Sequence, residues 1–388
     1  MKKWLIIGGG IQGCTMASYL RKSLYIQAND MVVIDPKPRP LENWRKFTEK
    51  LGMAYLRSPS IHHLDPSPFS LEKFAKQHRD KEFVHFYAPY DRPDLQLFNK
   101  HCEELFSQID IEKSWVQGKV SGLTKSTKGW LVTLATGVEL KAKNVVIAIG
   151  LSEQLRWPQW ALEGKALGAN IAHVFDEKEN LKERGSVVIV GGGISAAHAT
   201  IKWSEMLPGK VTLITRHPLT VHQFDSDPGW LGPKYMNKFS KIECFKERRE
   251  AIKAARYPGS LPSELKTRLE KSKKQGNIDI LIDEVLQVAT VKEELLKLQL
   301  KSGEELVTGG VLLATGFEQK PPGMDWLQLL IKTYCLPCAT CGYPIPKPSL
   351  EWEEGLYLLG ALAELQLGPV ARNISGARRG AERIISTF

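Results

Sequence analysis

Two glycine-rich segments of this chain have the residue types and spacing that bind the pyrophosphate of a dinucleotide. The segment Gly8–Gly13 (GGGIQG) directly follows the apolar run Trp4–Ile7, and Gly191–Ala196 (GGGISA) directly follows Val187–Val190. In this pattern the first glycine permits a tight turn, the second lets the backbone approach the pyrophosphate, and the third lets a helix pack closely on the strand. The amino terminus of that helix then faces the phosphates. Two such segments predict two bound dinucleotides, one that donates electrons and one that accepts them.

Only a few positions within these segments are expected to contact the cofactors. They are Gly8, Gly10, Gly13, Gly191, Gly193 and Ser195. Ala196 stands where the third glycine of the second segment is expected. Because each segment lies between a strand-like run and a helical pattern, its context supports nucleotide binding more strongly than the glycines alone would.

An acidic residue after the next strand indicates which nucleotide the first segment binds. The apolar run Met31–Ile34 ends at Asp35, close to the offset of about 20 residues at which a carboxylate accepts hydrogen bonds from a ribose. The alternative interpretation is that Asp35 caps a turn after the strand. Since a carboxylate here repels a ribose 2′-phosphate, the first site is expected to hold FAD or NAD and not NADP.

A basic residue occupies the corresponding position of the second unit. The run Val211–Thr215 is followed by Arg216, whose planar guanidinium is suited to pair with a 2′-phosphate. The alternative interpretation is a solvated charge at the end of a strand. We therefore expect NADPH at the second site.

The composition limits the remaining possibilities. The chain has 388 residues, 43% of them hydrophobic and 25% charged, which is enough for two or three domain cores. It has no apolar run near the roughly 18 residues of a membrane span. Its six cysteines lack the spacing of a disulfide scaffold, so the expected location is the cytoplasm. The net charge of +10 is dispersed and interleaved with acidic residues, which argues against nucleic-acid binding.

The elements around the two glycine segments must bring strand ends and helix starts together. After Gly13, apolar residues recur at helical spacing as far as Leu24, and after Gly193 they recur as far as Ile201. A strand, a glycine turn, a helix and a second strand form a βαβ unit, which binds its ligand at the carboxyl ends of the strands. The predicted fold class is α/β, with two Rossmann-like dinucleotide-binding domains and a helical insertion.

The chain resembles the flavoproteins that have two dinucleotide-binding domains. Besides the glycine segments it has two glycine-containing strand ends, Asn144–Gly150 and Val311–Phe317, and the segment Gly355–Gly360 before a C-terminal helix. In that superfamily, such strands cross between the FAD and NAD(P) domains. The resemblance implies a discontinuous FAD-binding domain of residues 1–160 plus 300–388, with an NADPH-binding domain of residues 161–299 between its two parts.

A helical insertion is expected within the NADPH-binding domain. The stretch 224–276 is long for a connection inside a βαβ unit and contains two charged runs with helical character. The N-hydroxylases that the chain resembles carry a small helical substrate domain at this place. The candidates for substrate contact are Phe224, Asp225 and Trp230.

Three further segments are similar to FAD- and NADPH-dependent monooxygenases of the N-hydroxylase and flavin-containing monooxygenase type. They are Met53–Pro59, Tyr90–Leu95 and Ala166–His173. The resemblance implies that hydride passes from NADPH to the flavin, and that one atom of oxygen then reaches a nitrogen or sulfur of a small-molecule substrate. The flavin supplies this chemistry, so no catalytic side chain is predicted. Further cofactor contacts are implied for Arg57, Gly316, Gly360 and Asn373.

Ala361 departs from the pattern of the superfamily. Many relatives have an aspartate at this position, which accepts a hydrogen bond from the ribityl chain of FAD, and Glu364 is the candidate replacement. A helix is predicted from Val370, with Asn373 in its first turn and its positive end directed at the flavin ring.

Three clustered cysteines leave alternatives open. Cys335, Cys338 and Cys341 are interpreted as inert thiols in a turn, as a redox pair, or as part of a metal site. Because structural zinc needs four ligands, no metal is expected. The alternative functions are an NADPH-dependent disulfide reductase that uses Cys335 and Cys338, and a non-catalytic NADPH-sensing flavoprotein.

Overall fold

The computed structural model describes residues 1–78, 86–291 and 294–388. The strands within these ranges are β1 Lys2–Ile7, β2 Met31–Asp35, β3 Phe86–Tyr87, β4 Arg92–Pro93, β5 Trp115–Gln117, β6 Val120–Ser126, β7 Gly129–Leu134, β8 Glu139–Ile147, β9 Ile171–His173, β10 Val187–Val190, β11 Val211–Thr215, β12 Thr220–Val221, β13 Ser260–Leu261, β14 Ile278–Ile282, β15 Val285–Thr290, β16 Leu296–Leu300, β17 Glu305–Thr308, β18 Gly310–Leu313, β19 Glu351–Glu353 and β20 Leu356–Leu358. The α-helices are α1 Ile11–Lys22, α2 Glu42–Lys50, α3 Ser70–Gln77, α4 Leu95–Gln108, α5 Gln159–Ala166, α6 Ile194–Met206, α7 Pro233–Ser240, α8 Phe245–Ala255, α9 Ser263–Lys274, α10 Met324–Tyr334, α11 Glu364–Leu367 and α12 Ile374–Ile385.

The first domain is built on a sheet with the order β19-β20-β8-β1-β2-β5, to which β6 and β7 are attached beside β8. Strand β1 pairs in parallel with β2 and β8, and β8 pairs in parallel with β20. The run Trp4–Ile7 is buried, as expected for a central parallel strand covered on both faces. The parallel register brings the carboxyl ends of β1, β2, β8 and β20 to one edge of the sheet.

The second domain is built on a fully parallel sheet with the order β14-β11-β10-β18-β9. Helix α6 follows β10 directly, and α9 packs against α6. Residues Val187 and Ile189 of β10 lie in the core of this domain together with Leu265 and Leu269 of α9. The predicted α/β class with two Rossmann-like domains is confirmed.

The second domain is longer than the sequence prediction of residues 161–299. Strand β18 pairs with β10, so the chain returns to the first domain only after Leu313 and not near residue 300. The prediction was wrong because the apolar run of β18 was assigned to a crossing between domains, whereas its hydrogen-bonding partner is the strand before the second glycine segment. Helix α5 also belongs to the second domain, because Ala161 packs in one cluster with Val188 and Leu298.

The helical insertion is shorter than the predicted stretch 224–276. It lies between the end of β11 at Thr215 and the start of α9 at Ser263, and it contains the helices α7 and α8. The charged run that forms α9 was wrongly assigned to it, because α9 is the helix that crosses from β11 to β14 in the second sheet. Helices α7 and α8 pack on the first domain, where Phe239 and Ile252 contact a cluster with Tyr343 and Leu365.

No helix in the described part of the chain is both long and apolar enough to span a bilayer.

Candidate functional site

The first glycine turn leaves open space at the position where a pyrophosphate would lie. Gly8 has a φ of +108°, and a Cβ atom there would lie 2.7 Å from the Ala148 carbonyl oxygen. A Cβ atom at Gly13 would overlap the carbonyl oxygen of Gly8. At Gly10, by contrast, a Cβ atom would meet no atom of the described residues within 4 Å. Gly10 is also the residue before α1, so the first N–H groups of that helix point to the same space.

Asp35 lies at the end of β2, directly beside this turn. Its carboxylate accepts hydrogen bonds from the backbone N–H groups of Gly9 at 2.6 Å and Lys37 at 2.8 Å. Burial raises the pKa of Asp35, and these two hydrogen bonds oppose that effect. The side chain therefore caps the turn after the strand, as the alternative interpretation states, and it also stands at the edge where a ribose would lie.

Gln12 connects the first glycine turn to the C-terminal part of the chain, a role that the sequence analysis missed. Its side-chain amide donates to the carbonyl oxygens of Ala371 at 3.1 Å and Asn373 at 3.3 Å. It also packs under Gly360, where a Cβ atom would lie 3.1 Å from the Gln12 Cγ atom. The polar residue inside the motif was the available signal, because a buried glutamine needs partners for its amide.

The second glycine turn repeats the geometry of the first with one difference. Gly191 has a φ of +152°, and a Cβ atom there would lie 2.5 Å from the Ala314 carbonyl oxygen. Gly193 precedes α6, and Ser195 lies in the first turn of that helix. A Cβ atom at Gly193, however, would lie 3.4 Å from the Cα atom of Gly259. A segment of the helical insertion thus covers this turn.

Arg216 and Gly316 lie at the carboxyl edge of the second sheet. Arg216 follows β11, its side chain is 59% exposed, and its guanidinium is 3.9 Å from the Glu284 carboxylate. Gly316 follows β18 with a φ of +77°, and its carbonyl oxygen accepts a hydrogen bond from the Arg156 backbone N–H at 3.0 Å. The guanidinium of Arg216 is thus accessible to solvent at this edge and is paired with Glu284 only at long distance.

The C-terminal helix begins later than predicted. Residues Pro369–Arg372 form a 3-10 turn, Asn373 has an extended backbone, and α12 starts only at Ile374. The prediction that Asn373 lies in the first turn of a helix from Val370 is therefore wrong, since Asn373 is the residue that precedes α12. Ala361 lies in the preceding 3-10 turn and is buried.

Glu364 is not available as a replacement for the missing aspartate. Its side chain is fully buried and accepts hydrogen bonds from Arg249, from Arg256 at 2.8 Å, and from the Arg372 Nε atom at 2.9 Å. Burial acts to raise the pKa of Glu364, but Arg256, Arg372 and Arg249 outweigh burial and lower that pKa to about 2. The carboxylate is charged and engaged by these three arginines, so the predicted contact with the ribityl chain is wrong.

Arg57 also faces a different partner from the one predicted. It donates to the carbonyl oxygens of His222 at 2.7 Å, Gln223 at 2.9 Å and Phe224 at 2.9 Å, and it pairs with Asp225. These groups belong to the helical insertion. The structure thus places Arg57 as a contact between the first domain and the insertion, and these same contacts hold Asp225, a predicted substrate contact.

The three clustered cysteines lie near the contact between the first domain and the insertion. Cys335 is the residue that follows α10. Cys338 pairs with Pro344 in an isolated β-bridge, and Cys341 lies in the turn that connects these two bridge residues. All three are free thiols. Within residues 1–78, 86–291 and 294–388, no group of three or more histidine, cysteine, aspartate or glutamate side chains is placed to hold a metal ion.

A cavity of about 640 Å³ opens between the two domains beside the start of α6. Its polar lining residues are Tyr55, Tyr87, Arg92, His198, Gln223, Ser263, Glu264, Thr267 and Arg268. Burial lowers the pKa of His198 to about 4, so its ring is neutral at physiological pH. Arg92 pairs with Glu264 at 2.6 Å across the cavity wall, and this ion pair joins the two domains.

Solved structures share this fold over nearly the whole chain. A cadaverine monooxygenase of desferrioxamine biosynthesis from Erwinia amylovora superposes with a TM-score of 0.74 at 15% identity, covering 99% of this chain and 94% of that one. The ornithine hydroxylase of Pseudomonas aeruginosa gives a TM-score of 0.74 at 18% identity, covering 100% and 98%. The bacillithiol disulfide reductase of Staphylococcus aureus gives 0.60 at 17% identity, covering 100% and 97%. A search of curated protein sequences found no significant match.

The sequence itself matches one protein-family model over most of its length. The matched residues are 2–335, which include both glycine turns and all strands of the second sheet. This match shows that the chain belongs to the pyridine nucleotide-disulphide oxidoreductase family.

Proposed function

We propose that this protein is an FAD- and NADPH-dependent monooxygenase that transfers one atom of dioxygen to a nitrogen or sulfur of a small molecule. The observation that carries the proposal is the pair of glycine turns, each at the carboxyl end of a parallel strand, within a fold shared with a cadaverine monooxygenase and an ornithine hydroxylase. When bound, FAD would accept hydride from NADPH and activate dioxygen. The amine substrates of those two enzymes make a primary amine the first class to test.

The residue types at the two glycine turns fit these two cofactors, although a segment of the insertion covers the second turn. The open space at Gly10, with Gly8, Gly13 and Asp35 around it, would hold the pyrophosphate and ribose of FAD. Gly360 and Asn373, which contact Gln12 of the first glycine segment, would complete this site. Gly316 would contact a cofactor from the edge of the second sheet. For NADPH, Gly191, Gly193 and Ser195 would face the pyrophosphate, and Arg216 would contact the 2′-phosphate.

The proposed function is tested by measuring whether an oxygen atom from labelled dioxygen appears in the product. The purified protein, with FAD, NADPH and isotopically labelled dioxygen, is incubated with a panel of diamines, basic amino acids and organic sulfides, and the products are identified by mass spectrometry. We expect one labelled oxygen atom per product molecule. NADPH oxidation that yields only hydrogen peroxide with every amine and sulfide tested would contradict the proposal.

A disulfide reductase is the second candidate, because the Staphylococcus aureus disulfide reductase shares the fold. In that case two-electron reduction would leave a thiolate beside oxidised flavin, which absorbs at long wavelength. The double variant Cys335→Ser/Cys338→Ser would lose that band together with disulfide reduction. For the monooxygenase we expect this variant to keep wild-type rates of flavin reduction and oxygen consumption.

Replacing Gly10 by valine is expected to abolish FAD binding without unfolding the protein. A Cβ atom at Gly10 meets no atom of the described residues within 4 Å, so the protein tolerates the side chain, whereas a pyrophosphate in the same space does not. The measurement is flavin absorbance per mole of purified protein, with circular dichroism as the check on folding. Gly232→Val is the matched control, because Gly232 also precedes a helix with open space around it. Normal FAD content in Gly10→Val would show that the site is elsewhere.

Replacing Arg216 by alanine is expected to weaken NADPH binding about tenfold, the change that about 1.4 kcal/mol gives. A charge-assisted hydrogen bond to a phosphate is worth about 1.5–3 kcal/mol, and because the Arg216 side chain is 59% exposed, solvent screening places the expected value at the lower end. Binding is measured by titration of the flavoprotein with each nucleotide. NADH, which lacks the 2′-phosphate, is the control and its affinity should stay within twofold. Equal losses for NADPH and NADH would remove Arg216 from the specificity determinants.

A further inference from the structure

Residues 256–261, here called the strap, cross directly over the second glycine turn. The strap leads from the end of α8 to the start of α9. Its Gly259 Cα atom would lie 3.4 Å from a Cβ atom at Gly193, and the Gly259 carbonyl oxygen would lie 4.0 Å from one at Gly192. The second glycine of this motif is the place where the backbone approaches the pyrophosphate. The corresponding space at Gly10 in the first turn is open, so the two nucleotide sites differ in access.

Several contacts hold the strap in this position. The Tyr257 backbone N–H donates to the Asp225 carbonyl oxygen at 2.9 Å, and the Tyr257 ring stacks on His222 with 3.7 Å between ring centroids. The Ser260 hydroxyl accepts a hydrogen bond from Arg57 at 3.0 Å. Through Arg57 the first domain therefore helps to keep the strap on the second glycine turn.

The first residue of the strap reaches into the C-terminal turn of the first domain. Arg256 donates to Glu364 at 2.8 Å and to the Pro369 carbonyl oxygen at 3.1 Å and 3.2 Å. Pro369 begins the 3-10 turn that leads to Asn373. Gln12 of the first glycine segment binds the same turn through the Ala371 and Asn373 carbonyl oxygens. A continuous set of hydrogen bonds and covalent links thus joins the two nucleotide sites through Arg256.

We propose that the strap must withdraw from Gly193 when the NADPH pyrophosphate binds, and that Arg256 is a positioning residue that couples this movement to the flavin-side turn at 369–373. This inference rests on the proposed use of NADPH and FAD. A ligand shifts such an equilibrium only by its different affinity for the two states, so the closed strap lowers the apparent affinity for NADPH. The contact of Arg256 with Glu364 and Pro369 also holds the turn at 369–373, which lies on the side of the first glycine segment where FAD would bind.

The variant Arg256→Gln separates these two effects. It removes the charge-assisted contacts that keep the strap closed, while Glu364 retains Arg249 and Arg372 as partners. We expect the NADP+ dissociation constant of the FAD-loaded protein to fall about tenfold, and the rate of flavin reduction at saturating NADPH to fall roughly tenfold because the turn loses its support. Arg248→Gln is the matched control, since Arg248 binds the Leu365 carbonyl oxygen and Gln366 without touching the strap or Glu364.

A second variant keeps the test informative if Arg256→Gln does not fold. Gly259 has a φ of +72°, and a Cβ atom added to it would meet no atom of the described residues within 4 Å, so Gly259→Ala strains the closed strap without a steric clash. It should tighten NADP+ binding and leave flavin reduction at the wild-type rate, because Arg256 keeps its partners. In hydrogen–deuterium exchange of the wild-type protein, NADP+ should accelerate exchange at the Tyr257 amide, which loses its Asp225 partner when the strap withdraws.

The outcomes distinguish this inference from the proposed function. Unchanged NADP+ affinity in both variants, or slower exchange at Tyr257 on NADP+ binding, would overturn the role of the strap even if the enzyme oxygenates an amine. Tighter NADP+ binding in both variants, with slower flavin reduction only in Arg256→Gln, would support it even if no oxygenated product is found. Equal effects in Arg248→Gln and Arg256→Gln would reduce Arg256 to a general contact of the insertion.

Discussion

Replacing Glu364 by glutamine is expected to lower the free energy of unfolding by roughly 3–5 kcal/mol. The carboxylate is fully buried among Arg249, Arg256 and Arg372, and it provides the negative charge that these guanidinium groups share. An amide has a single acceptor oxygen and presents N–H donors to groups that are themselves donors, so the arginines remain buried without compensation. The measurement is urea denaturation followed by circular dichroism.

The control for this experiment is an ion pair at the surface. Glu103 pairs with Arg45 at 2.8 Å, but its side chain is 54% exposed. Glu103→Gln should therefore change the free energy of unfolding by less than about 1 kcal/mol. If Glu364→Gln were as mild as this control, the cluster would not be what fixes the insertion to the first domain.

Acidification from about pH 6.5 to about pH 4 is expected to destabilise the fold by roughly 3 kcal/mol for each of His63 and His101. Burial lowers the pKa of His63 to about 4, and burial together with the charge of His63 lowers the pKa of His101 to about 3. In the unfolded chain both rings take up a proton near pH 6.5, whereas in the folded state they stay neutral. The unfolded state thus binds more protons in this range. The contribution of these two rings to the free energy of unfolding is fully present above about pH 6.5 and is lost as the pH falls.

Removing one of these rings gives the check. Stability is measured by denaturation at several pH values for the wild type and for His101→Gln. The slope of stability against pH should decrease in the variant by the contribution of one proton. His217→Gln is the control, because His217 lies exposed after β11. Parallel pH profiles for the wild type and His101→Gln would show that the neutral ring is not what makes the fold sensitive to acid.

The sequence predicts the two glycine turns well because their requirements are local. Gly8 and Gly191 need positive φ, and each turn lies between an apolar strand and a helix, so neighbouring residues contain the signal. The helical character of the charged run that forms α9 is predicted correctly for the same reason, although its assignment to the insertion was wrong. Its Leu265 and Leu269 show one buried face, but periodicity alone does not say which domain that face contacts.

The contacts that join the domains could not be predicted in this way. Glu364 lies 115 residues from Arg249 and 108 from Arg256, and Arg57 lies 168 residues from Asp225. Spacing along the chain contains no information on such pairs, and each arginine looks like an ordinary solvated charge in its local sequence. The contact of Gly259 with Gly193 is likewise tertiary, and the sequence around Gly259 contains no motif that predicts it.

The strand order of the first sheet has a consequence for how the protein is made on the ribosome. That sheet needs β19 and β20 beside β8, and α12 packs on α1, so the first domain stays incomplete until residues beyond 351 have been synthesised. The second sheet uses only strands between Ile171 and Leu313. We therefore expect the second domain to fold first during translation, while the earlier-made half of the first domain waits with Val145–Ile147 of β8 unpaired on the side that β20 later occupies.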